Sequence, residues 1–334
     1  MDKDNLLRVE HLKKYFHTPG GNLHAVDDIS FSIAKGQTLG VVGESGCGKS
    51  TLGRVILRLI EPTGGKVFFG GEDILGLSKT RMKQMRTKMQ IIFQDPYASL
   101  NPRMTVSQSI EAPLLIQGIF RPSQKKEVRE KVAEMMDLVG LAPRFVNAYP
   151  HELDGGRRQR IGIARALVLN PGFIVCDEPV SALDVSIQAQ ILNLLQDLQD
   201  RMGLTYMFIT HDLSVVKHLS NNIMVMYLGQ LVEKASSRQL FASPLHPYTK
   251  ALLAAIPIPD PKHIMESIAL KGELSSPINP QPGCRFAKRC HYAQEKCFSV
   301  SPPMREIESN HFVACHCAGE SCPVSTEEWN SSNS

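Results

Sequence analysis

No run of eighteen apolar residues occurs in this sequence, so no segment is expected to cross a membrane as a helix. The opening residues, MDKDNLLRVEHLKKYF, lack the apolar stretch that follows the charges of a secretory signal, and the expected location is the cytosol. An excess of one charge is also missing: 37 basic residues face 33 acidic ones, a formal net charge of +4. So even a balance gives no electrostatic ground for a nucleic-acid partner. No repeat of solenoid length is present. What remains is a chain of 334 residues, room for one large domain and a smaller appendage, with enough buried surface to need no staples in its main core.

Cysteine, by contrast, is plentiful and unevenly placed. Cys47 and Cys176 stand apart, while Cys284, Cys290, Cys297, Cys315, Cys317 and Cys322 crowd into the last fifty or so residues. In a reducing compartment such a cluster suggests metal or iron–sulfur ligation more than disulfides.

The patterning predicts a strand over residues 6–16, a turn around Pro19 and Gly21, and a second strand near residues 29–33. Thr38-Leu39-Gly40-Val41-Val42 is a short apolar run, expected as a strand buried on both faces. A helix follows a Gly-rich loop, with Leu52, Val55, Ile56, Leu59 and Ile60 on one face and Pro62 as its stop. Residues 101–149 turn helical and more polar, and Val128, Val132, Met135, Met136 and Val139 form a stripe. Buried-type strands return at residues 173–176 and 206–209. Between them Ile187, Ile191, Leu194, Leu195, Leu198 and Met202 mark an amphipathic helix, a βαβ unit that implies a parallel sheet. Beyond Ala255 the prolines 257, 259, 261, 277, 280 and 282 read as a linker.

Gly43-Glu44-Ser45-Gly46-Cys47-Gly48-Lys49-Ser50 fits the phosphate-loop pattern, between a strand and a helix as that loop requires. Its glycines let backbone N–H groups turn toward phosphate oxygens. The helix N-terminus adds positive potential, Lys49 is placed for the β and γ phosphates, Ser50 for Mg²⁺ and Thr51 for the α-phosphate. Cys47, inside this loop, is expected to be a small tolerated residue rather than a redox switch. Asp177 and Glu178 close a buried strand, where one carboxylate can hold a Mg²⁺ shell and its neighbour can polarise an attacking water. Lys79, Arg81, Lys83, Arg86 and Lys88 make a basic stretch expected to be a solvated surface.

Taken together, these segments resemble the ATP-binding-cassette (ABC) ATPases. Leu153-Asp154-Gly155-Gly156-Arg157 is similar to the family's LSGGQ signature, Gln94 to its Q-loop, Ser181-Ala182-Leu183-Asp184 to its D-loop and His211 to its switch histidine. Phe16, with Tyr15 as the neighbouring alternative, matches the base-stacking aromatic. The resemblance implies a P-loop NTPase (RecA-like) α/β core with a mixed sheet, an antiparallel β subdomain, a helical subdomain at about 97–160 and a small cysteine-rich C-terminal extension. Residues 1–255 would form the nucleotide-binding domain and 256–334 the extension. It further implies head-to-tail dimers, with each ATP between one chain's phosphate loop and the other's signature. Gln94 would ligate Mg²⁺, Glu178 would be the general base, and His211 would hold the γ-phosphate and attacking water. The signature departs from the pattern at Asp154 and Arg157. A carboxylate facing a γ-phosphate should repel it, and Arg157 is expected to offset that charge locally. In a heterodimer the affected nucleotide would be the one on the partner's loop.

The phrases Pro244-Leu245-His246-Pro247-Tyr248-Thr249-Lys250, Pro282-Gly283-Cys284-Arg285-Phe286 and His311-Phe312-Val313-Ala314-Cys315 resemble the C-terminal extension of oligopeptide and dipeptide importer ATPases. That resemblance implies a subunit on the inner face of the cell membrane, partnered by a second ABC ATPase (heterodimer or homodimer), two transmembrane permease subunits and an extracytoplasmic peptide-binding protein. Within the extension Cys284, Cys290, Cys297 and Cys315 match the family's cysteines. Four thiolates can hold a [4Fe–4S] cluster or Zn²⁺; the spacing lacks zinc-ribbon CxxC pairs and relatives carry the cluster, which favours iron–sulfur. Cys317 and Cys322 are left over as extra thiols. The cluster would act as a clip for a tail with little apolar core. The alternative function is a soluble iron–sulfur ABC ATPase acting on nucleic acid.

Overall fold

The computed structural model describes residues 5–121, 123–256 and 276–318. In chain order the strands are β1 (Asn5–Thr18), β2 (Gly21–Ala34), β3 (Thr38–Val42), β4 (Gly64–Phe69), β5 (Glu72–Asp73), β6 (Met89–Ile92), β7 (Phe173–Asp177), β8 (Thr205–Ile209), β9 (Asn222–Tyr227), β10 (Gln230–Ser236), β11 (Arg305–Glu308) and β12 (His311–Val313). The helices are α1 (Lys49–Ile56), α2 (Lys79–Lys88), α3 (Pro96–Ser99), α4 (Val106–Gln117), α5 (Lys125–Leu138), α6 (Gly155–Leu167), α7 (Val185–Met202), α8 (Leu213–Leu219), α9 (Ser237–Ala242) and α10 (Pro247–Ala254). A four-stranded sheet has the order β2-β1-β4-β5. No helix among the described residues is long and apolar enough to cross a membrane.

The chain divides into two compact units. The first is built on Ser32–Gln37 and Val67–Ile209, with the described residues up to Arg8. In it β6, β7 and β8 lie parallel, with Met89 opposite Phe173 and Phe173 opposite Thr205. Every residue of β7 and β8 is buried, which is why both strands read as continuous apolar runs. The β7-α7-β8 crossover is the expected βαβ unit; α7 buries Ile191, Leu195 and Leu198 and ends at Gly203 in the left-handed region. The helical insertion follows its stripes. α5 buries Val128, Val132, Met135 and Met136, residues three or four apart that face the same side, each stabilising by roughly 1.5–3 kcal/mol. α4 starts on a Thr105–Gln108 capping box, which satisfies two helix-end amides reciprocally.

The second unit takes Val9–Phe31, Thr38–Lys66 and the described residues from Thr210 on. Its sheet is mixed. β3 and β9 run parallel, with Leu39 opposite Asn222. β10 is antiparallel to β9, β12 to β10 and β11 to β12. The fully buried β3 leads directly into the Gly-rich loop and α1.

Three expectations need correction. α1 ends at Ile56, short of Pro62: Arg58 turns to φ 50°, and Leu59 is left 48% exposed instead of continuing an apolar face. β2 begins at Gly21, eight residues ahead of the predicted start, because the polar stretch through Asp27 and Asp28 gave no alternation to read. The proline segment at 277–282 is more than a linker. His24 N donates to Pro277 O at 3.0 Å and Asn279 N to Asn22 O at 2.9 Å, while Asn22 N donates to Asn279 Oδ1 at 2.9 Å. Proline has no N–H but keeps its carbonyl, so it can still line a strand edge as an acceptor. Pro257, Pro259 and Pro261 lie outside the described residues.

Candidate functional site

The Gly-rich loop belongs to the second unit. At Gly48, the N-cap of α1, φ is 105°, and a Cβ there would come within 2.0 Å of the Ala25 carbonyl oxygen. Only glycine permits that geometry. Lys49 is buried, and its Nζ donates to the loop carbonyls of Gly43 at 2.7 Å and Glu44 at 2.9 Å. Ser45 and Gly46 are exposed at the loop tip, while Gly43 is buried and Ser50 and Thr51 are half-buried. Cys47 is buried, and burial pushes its thiol up against the opposing pull of Lys49. That weighs against a reactive thiolate.

The expected aromatics sit on β1 in the same unit. Tyr15 is engaged: its ring stacks on His24 at 3.9 Å and its hydroxyl donates to Asp27. Burial alone would lift the Asp27 carboxyl, but the Tyr15 hydroxyl and the Arg285 guanidinium together hold it below its usual value. Phe16 is half-buried, with Lys14 Nζ 4.7 Å from its ring centre. His211 is exposed just past β8. Its neighbours are pinned: Thr210 N donates to Val41 O at 3.1 Å, and Asp212 caps α8 through Ser214 N at 2.8 Å.

The first unit holds the rest. Asp177 is buried at the end of β7, and the chain turns at once, with Glu178 at φ 48°. A non-glycine residue in that region is uncommon and is held there only by its surroundings. Here Glu178 N donates to Ile209 O at 3.0 Å. Gln94 Nε2 donates to Glu178 Oε2 at 2.9 Å and reaches Ser181 Oγ at 3.4 Å, and Ser181 Oγ donates to Glu178 O at 3.2 Å. Three separately predicted residues (Gln94, Glu178 and Ser181) thus meet at one carboxylate. Asp184 is exposed at the N-cap of α7.

The LSGGQ-like segment opens α6. Leu153 is buried; Asp154 is the N-cap and accepts from Arg157 N at 2.8 Å. Gly155 and Gly156 begin the helix close to Leu183 and Ile187: a Cβ on Gly156 would fall 2.7 Å from the Ile187 side chain. The expected offset of Asp154 by Arg157 takes the form of an ion pair within this first turn, and Arg157 also lies 5.0 Å over the Phe145 ring. Both side chains are about half exposed, so the pair contributes little to folding, about 0–1 kcal/mol. Its consequence is charge. Asp154→Ser keeps a capping oxygen for Arg157 N but frees the guanidinium, whereas Asp154→Ser with Arg157→Gln restores local neutrality. If the segment closes on a nucleotide, as the resemblance implies, the single variant is expected to change nucleotide turnover several-fold more than the double. Steady-state rates compare them, and equal effects would remove the pairing.

The tail adds a cavity. Cys284, Cys290, Cys297, Cys315 and Cys317 line it together with His246, Tyr292 and His316. None of these cysteines is in a disulfide. Burial pushes the Cys290 thiol up to about 11 and the Cys315 thiol up to about 12. Cys317, expected as an extra thiol, lies buried in the same lining; an i+2 neighbour of Cys315 on a turning chain can face the same space. Cys322 lies outside the described residues. The donors fit a soft metal or an iron–sulfur group in kind, but no group of three or more His, Cys, Asp or Glu among the described residues is set to hold a metal ion.

Sequence reasoning missed the buried hub at Glu233. It accepts from Leu245 N at 2.7 Å, His246 N at 2.9 Å and His311 Nε2 at 2.7 Å. The segments 244–250 and 311–315 both supply donors to this one carboxylate, and their family-like residues are the signal that the sequence carries for it.

Residues 26–181 match the family model described as ABC transporter, and residues 232–297 match the one described as oligopeptide/dipeptide transporter, C-terminal region. YkfD of Bacillus subtilis (strain 168) is 54% identical over 314 residues, 93% of this chain and 95% of its own. The oligopeptide transport ATP-binding protein AppF of the same strain is 49% identical over 325 residues, 94% and 98% of the two chains. Among solved structures, the ATP-binding cassette MJ0796, a dimer in a post-hydrolysis state bound to ADP and Pi, aligns with TM-score 0.63 at 30% identity, over 70% of this chain and 99% of that one.

Proposed function

The chain belongs to the ABC transporter ATP-binding family, and on that premise we propose that it hydrolyses ATP to drive import of oligopeptides or dipeptides. The observation that carries this is the Gly43–Ser50 cradle with Lys49 buried against it, on a chain whose residues 232–297 match the peptide-transporter C-terminal region. An anion entering the cradle replaces two neutral carbonyls as the partners of Lys49, a stronger, charge-assisted contact.

Each predicted residue takes a role. Gly43, Ser45, Gly46, Cys47 and Gly48 offer backbone amides to the phosphates, Thr51 takes the α-phosphate, and Phe16 stacks on the base, since the ring of Tyr15 is already stacked on His24. Ser50 and Gln94 would ligate Mg²⁺, whose charge steadies the transferring phosphoryl group when bound, and Asp177 would hold its shell. Glu178 takes a proton from the attacking water, held on its line by Gln94. His211 steadies the γ-phosphate. Leu153, Asp154, Gly155, Gly156, Arg157 and Asp184 close on the nucleotide of a second ATPase subunit, in a heterodimer or a homodimer.

Residues 1–255 form the nucleotide-binding part and 256–334 the extension. The subunit sits on the inner face of the membrane against two permease subunits, and an extracytoplasmic protein presents the peptide. Tyr97 on α3 and Leu115, Ile116 and Ile119 at the end of α4 are exposed large apolar side chains, and they are the candidate contacts for the permeases. In the tail, Cys284, Cys290, Cys297 and Cys315 would hold a [4Fe–4S] cluster, or Zn²⁺ in its place, as a clip for a segment with little apolar core.

Purification of the native complex, with ATP turnover and metal content measured on the same sample, tests both parts. Copurifying permeases and turnover stimulated by peptide-loaded binding protein are expected; salt-sensitive nucleic acid in their place would overturn the importer reading. A brown protein carrying iron and sulfide is expected. Colourless protein with one zinc would move the cysteines to the alternative.

A further inference from the structure

We propose that Arg289, in the cysteine-rich tail, is a positioning residue for the nucleotide, acting on the phosphate loop through Glu44. The inference rests on the ATP-binding reading of that loop.

Glu44 is the second residue of the loop, and both its backbone and its side chain are held. Its backbone N–H donates to the Tyr248 hydroxyl at 2.8 Å. Its carbonyl accepts from Lys49 Nζ at 2.9 Å. Its carboxylate takes Arg289 Nη1 on both oxygens, at 3.0 and 2.8 Å. Arg289 is 8% exposed and ends a short helical turn, Ala287–Arg289. Its Nη1 also reaches the Tyr227 hydroxyl at 3.4 Å. The aromatic rings of Tyr227, Tyr248 and Phe286 pack on one another, with centres 4.7–5.5 Å apart, so the guanidinium rests on a rigid floor.

The arrangement answers an electrostatic problem. A loop that must take up a polyanion carries a carboxylate of its own, 21% exposed. Left unpaired, that charge repels the phosphates and is free to draw Lys49 toward itself. Arg289 cancels it and fixes where it points, so the tail is needed for the loop's charge as well as its shape. Arg289 Nε is buried without a hydrogen-bond partner among the described residues, a cost that a purely apolar side chain at this position would not incur.

The two ends of the pair then have opposite effects. Arg289→Met leaves Glu44 negative and is expected to weaken Mg-ATP binding about tenfold, within the range of ordinary site-to-site coupling. Glu44→Gln leaves the guanidinium in excess and is expected to tighten it. Glu44→Gln with Arg289→Met returns the affinity to within about threefold of the parent, and Arg289→Lys recovers most of the loss. The measurement is the Kd for labelled Mg-ATP by equilibrium dialysis on the full-length chain, with thermal melting beside it. A merely structural pair moves both single variants toward weaker binding, and that result overturns the proposal, as does an unchanged Kd in Arg289→Met. If Arg289→Met does not fold, the sign is read from Glu44→Gln alone: tighter binding supports the proposal, and weaker or unchanged binding there overturns it. Parent protein that retains no Mg-ATP defeats the ATP reading itself, a failure distinct from parental binding with unresponsive variants.

Discussion

Glu178→Gln is expected to bind Mg-ATP as the parent does and to hydrolyse it at least about a hundredfold more slowly, the usual loss when a general base is removed. The local geometry separates the two effects. The amide keeps an oxygen to accept from Gln94 Nε2, now at 2.9 Å from the carboxylate, and the backbone N–H bond to Ile209 O is untouched. What disappears is the group that can take a proton. Turnover and equilibrium binding on the same preparation decide the matter. Equal loss of both would make Glu178 a structural residue of the strand end, and turnover within tenfold of the parent would move the base elsewhere.

Glu233→Ala is expected to destabilise the chain by about 3–5 kcal/mol, the cost of breaking a buried charged hub by removing one side of it. Glu233 and His311 are both fully buried. The truncation would strand two backbone N–H groups, at Leu245 and His246, together with the His311 ring. A fall in melting temperature of at least about 5 °C is expected. Maleimide labelling of the buried Cys297 and Cys317 should rise as β12 loosens from β10. A melting temperature unchanged within about 1 °C would show that the tail is held by other means.

Local chemistry was legible in the sequence; distant pairing was not. The phosphate loop, the acidic end of β7, the stripe on α5 and the βαβ unit around α7 are each set by neighbours within one or two turns of chain, so residue order shows them directly. Leu59 and Ile60 keep the apolar spacing beyond the true end of α1, while the left-handed Arg58 just past that end carries no composition signal. Cys317 has no place in a four-cysteine pattern that is complete without it, and only the turn after Cys315 brings it into the same lining. Arg289 and Glu44 stand 245 residues apart, and neither belongs to a pattern that names the other. The Asp154–Arg157 pair was readable because both residues fall in the same helical turn.

The β12–β10 pairing, in which Phe312 lies opposite Lys234 and Val313 opposite Glu233, has a practical corollary. A minimal ATPase trimmed to residues 1–255 would leave β10 with bare main-chain donors and acceptors along one flank. Such a flank recruits strands from neighbouring molecules. Expression trials that remove the C-terminal region to obtain a simpler cassette should therefore yield clumped material, and those that keep it should remain dispersed.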